Sequence, residues 1–251
     1  MTLQNKPFFL KGSPSHACLF LHGLGGGVYE MQTLGERLHQ QGLTVQGILY
    51  PGHDRPGNMP RSRWQDWYAY SVETYKTLAQ TYEQVSLIGF STGCPLGLNL
   101  AAEYPVHKLV MLAPYFRLRS RWYYGLPLEA YVQTLGRLIP DVPRRGLPIF
   151  DPIMQRQAVD TAFFQTFNMA SVRSAMELIE QVKPKLPTIQ NPTLIIQSRL
   201  DRVVDPAGAS YLYDRLGTSE KRLLWLEKSD HIITLDRERE TVYQAVGEFM
   251  A

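Results

Sequence analysis

The stretch running V-S-L-I-G-F-S-T-G-C-P-L-G-L-N-L-A from Val85 to Ala101 constrains this chain more than any other. A run of apolar, β-forming residues ends in Gly89-Phe90-Ser91-Thr92-Gly93, and helical spacing begins at once, leaving no room for an ordinary loop. Glycines on both sides of the serine suit a strand-to-helix turn so tight that side chains there would collide. Such a turn belongs on a strand buried in a parallel sheet, with helices covering both faces.

The rest of the chain agrees. Strand-like runs fall at 17–21, 43–50, 85–90, 108–112, 193–198 and 222–226, and stretches of helical spacing lie between them at 30–41, 65–83, 94–104, 206–217 and 236–250. This βαβ rhythm defines an α/β protein with a mostly parallel central sheet. At 251 residues, 44% hydrophobic and 20% charged, the chain is ordinary globular material. A domain of this size buries roughly three quarters of its unfolded surface, so its core needs neither metal nor disulfides.

The rhythm stops between Tyr115 and Gln190, where seven of the seventeen prolines fall and no comparable buried strand is expected. We read residues 1–114 and 191–251 as the core and 115–190 as an inserted, mainly helical lid. The insert holds ten Lys or Arg against six Asp or Glu, while the remainder holds sixteen against seventeen. A solvated helical face accounts for that surplus more simply than a binding role for the arginines as a set.

Several classes are disfavoured. Cys18 and Cys94 are too few for a disulfide framework or a zinc site, which suggests a reducing, cytoplasmic compartment. No apolar run approaches the length of a transmembrane helix, and the first residues lack the features of a signal peptide. A net charge of +3 with no long Lys/Arg run does not favour nucleic acid. No metal-binding spacing links His22, His53 and Asp54, and we expect neither metal nor cofactor.

In its context the G-x-S-x-G turn lifts the Ser91 hydroxyl above the sheet at a helix N-terminus; the bland alternative is a glycine-rich turn with a capping serine. A serine attacks only if a base removes its proton, and histidine is the base tuned to neutral pH. His16, His39 and His107 fall before a strand, on an amphipathic stretch and in a turn, and His22 shapes the loop it begins. His231 follows the last strand-like run, in a loop able to pass over Ser91. The third member is a carboxylate that orients the imidazole. Asp201, just after the run at 193–198, fits; Asp205 is the reserve and a natural cap for a helix at Pro206, and Asp230 adjoins the histidine too closely to orient it. The amides of Thr92 and of Leu24, in the glycine-rich loop at 22–27, are candidate donors to an oxyanion, worth roughly 2.7–4 kcal/mol each. That loop lacks the G-K-[ST] of a phosphate cradle.

Taken together, H-G-L-G-G at 22–26, Y-P-G-H at 50–53, G-F-S-T-G at 89–93, R-L-D-R-V-V-D-P at 199–206 and S-D-H-I-I-T-L-D at 229–236 resemble the α/β-hydrolase superfamily. Within it the chain is similar to small bacterial carboxylesterases and monoacylglycerol lipases. The resemblance implies a triad of Ser91, Asp201 and His231, oxyanion donors at Leu24 and Thr92, and a small-molecule ester of short or medium acyl chain, or a monoacylglycerol, as substrate. We expect a monomer or weak homo-oligomer. Carbon–carbon bond hydrolysis, perhydrolysis and non-catalytic ligand binding are the alternatives on the same fold. The chain departs from the family pattern at Asp54, where glycine is usual, and at Cys94-Pro95 after the serine turn. The insert, with Trp122, Tyr123, Tyr124, Met154, Phe163, Phe164, Phe167 and Met169, is the part expected to decide substrate choice.

Overall fold

Apolar residues at consecutive positions of one strand face opposite sides of a sheet, so an unbroken apolar run needs cover on both. The computed structural model, which describes residues 2–120 and 125–251, supplies it. In chain order the main elements are β1 (Phe8–Leu10), β2 (His16–Leu21), α1 (Gln32–Gln40), β3 (Thr44–Gly47), α2 (Trp64–Ala79), β4 (Gln84–Phe90), α3 (Gly93–Ala101) and β5 (Leu109–Leu112). Then follow α4 (Leu128–Gln133), β6 (Asp141–Pro143), α5 (Pro152–Thr161), β7 (Thr166–Asn168), α6 (Met169–Val182), β8 (Thr193–Ser198), α7 (Ala207–Arg215), β9 (Lys221–Leu226) and α8 (Arg239–Met250). Seven strands form one sheet in the order β1-β3-β2-β4-β5-β8-β9, parallel throughout except for β1 at one edge.

Leu19 and Leu21 of β2, Leu87 of β4, Met111 of β5 and Ile195 of β8 face one side, where α2, α3, α6 and α7 cover them. Their neighbours Phe20, Ile88, Val110 and Ile196 face the other, under α1 and α8. Each such side chain contributes roughly 1.5–3 kcal/mol by leaving water. The chain is an α/β-hydrolase fold, as its sequence implied. Two short strands depart from expectation: β1 pairs antiparallel along β3, and β3 itself stops at Gly47 rather than reaching Tyr50.

Among the described residues the chain between β5 and β8 adds no strand to the main sheet, yet it is not wholly helical. β6 and β7 pair into a small antiparallel ribbon, joining Val142 to Phe167 across α5. The last helix of this stretch, α6, is built into the core: Ala175, Leu178, Ile179 and Val182 share the apolar cluster of α3 and the central strands. Its N-terminus is closed by Asn168, whose side-chain oxygen accepts from the N–H groups of Ala170 and Ser171. Trp122, Tyr123 and Tyr124 lie outside the described residues.

Candidate active site

The turn after β4 is held by close backbone contact. A Cβ on Gly93 would sit 1.9 Å from the carbonyl oxygen of Leu21, and one on Gly89 would sit 2.6 Å from that of Gly93, so neither position tolerates a side chain. Ser91 between them has φ of +52°, in the left-handed region that a non-glycine residue enters only when its surroundings compel it. Its N–H donates to Leu112 on β5, while its carbonyl accepts from Cys94 and Tyr115. Cys94, one of the two departures after the serine, fits by directing its thiol toward the carbonyls of Gly89 and Leu112. Pro95 stands in the first turn of α3, where its missing N–H removes no helix bond.

The loop after β9 brings His231 over this turn. Its Nε2 lies 3.0 Å from Ser91 Oγ and its Nδ1 2.8 Å from Asp201 Oδ2, although the three residues are far apart in sequence. Asp201 is fully buried in the loop that follows β8. Its Oδ1 accepts from the N–H groups of Val203 and Val204, and its Oδ2 also accepts from Gln197 Nε2. Burial alone would raise this carboxyl, but the charge and hydrogen bond of His231 and the two N–H donors outweigh it and hold it below the usual value. An ionised carboxylate only accepts, so Nδ1 must carry the ring proton and Nε2 is left to accept from the Ser91 hydroxyl. Burial likewise disfavours the charged ring of His231, yet Asp201, then Glu30 and Asp230, outweigh it and lift its pKa above 6.5.

The reserve carboxylates lie elsewhere. Asp205 accepts from the N–H of Ala207 at the start of α7 and faces Arg117, whereas Asp230 takes both Nε of Arg202 and the backbone N–H of His231. His16 is bonded to Ser86 on the neighbouring strand, and His39 lies near the carbonyl of Leu43.

Leu24 and Thr92 both border the cavity over Ser91, and among the described residues neither backbone N–H has a protein acceptor. The loop carrying Leu24 is fixed from several sides. His22 bonds the carbonyl of Gly23 through Nδ1 and receives the N–H of Tyr50 at Nε2; His53 Nε2 accepts from Gly25 N–H. Both rings stay neutral because burial opposes their charge, that of His53 down to about 4. Asp54, the other departure, points outward to Arg55 and leaves His53 in place.

Three contributors escaped the sequence reading: Gln197 on Asp201, Arg144 on the carbonyl of Gly25, and Glu30, a buried carboxylic acid on the cavity wall. Burial pushes Glu30 up to about 7 against the pull of Arg144, His231 and the N–H groups of Gly23 and Gly27. A capping signal was available, since Glu30 stands three residues after Gly27 at the start of a helical turn.

The cavity measures about 660 Å³. Val203, Val204 and Ile232 line it from the core, and Leu118, Val132, Leu135, Phe167, Met169 and Val172 from the stretch between β5 and β8. Of the insert residues singled out in the sequence, Phe167 and Met169 reach it; Met154, Phe163 and Phe164 do not border it. Among the described residues no group of three His, Cys, Asp or Glu could hold a metal ion, and no helix is long and apolar enough to cross a membrane.

The family model Hydrolase_4, described as serine aminopeptidase, S33, matches residues 12–238. The chain belongs to this S33 family. Among curated relatives it is 27% identical over 247 residues to a carboxylesterase of Bacillus subtilis, covering 98% of this chain and 96% of the relative. It is 28% identical over 247 residues to a thermostable monoacylglycerol lipase of Bacillus sp. strain H-257, covering 98% and 94%. Among solved structures it matches one from work on the metagenome-derived lipolytic enzymes LipS and LipT, with TM-score 0.85, 24% identity and coverage of 98% and 97%. A monoacylglycerol lipase of Paleococcus ferrophilus superposes with TM-score 0.83 at 19% identity, covering 98% and 97%. This S33 chain is thus an enzyme of the α/β-hydrolase fold, similar over nearly its whole length to a carboxylesterase and a monoacylglycerol lipase.

Proposed function

We propose that the chain cleaves carboxylic esters of one short or medium acyl chain, monoacylglycerols included, through an acyl-enzyme on Ser91. The observation that carries this reading is the hydrogen-bonded line from Asp201 through His231 to Ser91 at the floor of an apolar cavity. In the first half-reaction Ser91 Oγ adds to the ester carbonyl as its proton passes to His231 Nε2. The N–H groups of Leu24 and Thr92 receive the oxyanion, and Asp201 stabilises the imidazolium. Collapse returns the proton to the departing alcohol. Water then repeats the sequence against the acyl-enzyme, and no cofactor enters.

The family description raises aminopeptidase action, which requires a partner for a substrate ammonium. Glu30 is the one carboxylate among the described residues bordering the cavity, and it is engaged by Gly23 and Gly27; Arg119, Arg144, Arg145 and Arg202 border the cavity as well. That balance repels a cation and admits a neutral or anionic ester. Cavities of roughly 300–1,000 Å³ take one small molecule, which favours one acyl chain over a triglyceride. Residues 115–190 serve in this reading as a lid on the core formed by 1–114 and 191–251, and their apolar wall supports that role.

The test is a phosphonylating serine-hydrolase probe read by intact mass and peptide mapping, followed by nitrophenyl esters from acetate to palmitate. A single adduct on Ser91, absent in Ser91→Ala, with turnover best at short or medium chains, is expected. Absence of an adduct on folded protein would sink the nucleophile assignment, and an adduct without ester turnover would turn the site over to carbon–carbon bond cleavage or perhydrolysis.

A further inference from the structure

We propose, on the reading that Ser91 and His231 act as nucleophile and base, that Glu30 is a positioning residue whose carboxylate clasps the Leu24 loop to the His231 loop and tunes the base by its charge. The clasp is visible on both sides. Glu30 Oε2 lies 3.4 Å from the N–H of Gly23 and of Gly27, spanning the segment that presents Leu24. A Cβ on Gly26 would fall 2.2 Å from the same oxygen, so the glycine there leaves room for the carboxylate. The backbone carbonyl of Glu30 accepts from the hydroxyl of Thr234, three residues beyond His231 in the same loop. One residue therefore touches both halves of the site, from the oxyanion side by its side chain and from the base side by its main chain.

A glutamine could serve the loop nearly as well and at less cost, because burying a carboxylic acid without a close ion pair is unfavourable. No Lys or Arg makes a salt bridge with Glu30 among the described residues. The groups facing it are few: Arg144 after β6, which donates to Gly25; Tyr50 after β3; His231 after β9, which also feels Asp230; and Tyr29 beside it in the chain. Of these only His231 gains a proton during the reaction described. Negative charge on Glu30 favours the imidazolium and so makes His231 a stronger base. Each group's charge shifts the titration of the other, and the acid limb of the pH profile belongs to the pair rather than to His231 alone.

The experiment measures kcat/KM for a nitrophenyl ester against pH in the wild type, Glu30→Gln and Glu30→Asp, with phosphonate labelling of Ser91 alongside. Glu30→Gln keeps the side-chain length and removes the charge: its acid limb is expected to fit a single protonation and to move about one pH unit toward acid, at the low end of the effect of a neighbouring opposite charge. Glu30→Asp keeps the charge and shortens the reach: kcat is expected to fall about tenfold while the limb stays close to wild type. A limb in Glu30→Gln superimposable on wild type would overturn the charge role, and a Glu30→Asp enzyme of undiminished kcat would overturn the clasp. Should Glu30→Gln not fold, Glu30→Ala takes its place as the charge-removing variant, and an acid limb there superimposable on wild type overturns the charge role. Wild type labelled at Ser91 with unaltered variants refutes this proposal alone, whereas wild type that fails to label refutes the underlying mechanism and this proposal with it.

Discussion

Replacing Asp201 by asparagine tests the site without changing its volume. Asparagine must turn its amide nitrogen toward one of two sets of partners. Facing the N–H groups of Val203 and Val204, it places donor against donor and loses two bonds of 2.8 and 2.9 Å. Facing His231 instead, it opposes Gln197 Nε2 and obliges Nδ1 to become the acceptor, so that Nε2 carries the hydrogen and can no longer take the proton of Ser91. Two backbone bonds outweigh one from glutamine and one that a tautomer change can restore, so the second arrangement wins. The same change in a serine-protease triad costs about 10⁴ in kcat, or about 5.5 kcal/mol in the barrier. We expect a loss of that order in ester hydrolysis by Asp201→Asn, with little change in KM and slow phosphonylation of Ser91. A folded variant within tenfold of wild type would refute the tautomer argument. The stability signature has its own sign: the Asp201 pKa is depressed by folding, so its contribution is present above the unfolded value of 3.8 and is lost as pH falls through the folded one. Thermal melting of Asp201→Asn should therefore lack part of the wild type's acid sensitivity.

Other outcomes follow from the same geometry. Because the pKa of His231 is raised and its neutral ring is the base, activity should fall as pH drops, with a midpoint above 6.5; a midpoint below 6 in the wild type would count against the Asp201 and Glu30 charges. Gly93→Ala drives a Cβ to 1.9 Å from Leu21 oxygen and should cost upward of about 3 kcal/mol or abolish soluble expression, read by urea melts; near-normal stability would mean the turn relaxes freely. Val132→Trp on α4 narrows the cavity and should lower octanoate relative to acetate turnover by about tenfold, and an unchanged ratio would remove that wall from the acyl path.

Legibility in the sequence followed the length and continuity of the signal. The six long apolar runs became strands of the main sheet, buried on both faces at its centre and partly open at the β9 edge, and G-F-S-T-G declared its turn by two glycines whose neighbours are backbone. Phe8–Leu10 was invisible as a strand because three residues carry no periodicity and the partner, β3, lies beyond α1. The ribbon of Asp141–Pro143 with Thr166–Asn168 was hidden for the same reason, with a proline that argues against a strand. Ser91, Asp201 and His231 could be picked by their places after strands. Glu30 could not be picked in that way, because its role depends on a side chain folding back onto the amides of Gly23 and Gly27, a contact that no place after a strand marks.

The double membership of α6 bears on how such enzymes diversify. Met169 and Val172 at its start border the cavity, while Ala175, Leu178, Ile179 and Val182 further along are mortared into the sheet's covering layer. Anything that swings with α6 would tear the core, and Leu147, Ile149 and Ala158 tie α5 and the segment before it to the cluster on the sheet's other face, so sequence drift is freest in the exposed stretch from Leu135 to Val142. Exchanging that stretch for one of another length would reshape the chamber, since Leu135, Ile139 and Val142 border it, while the helix capped by Asn168 stays bolted to the scaffold.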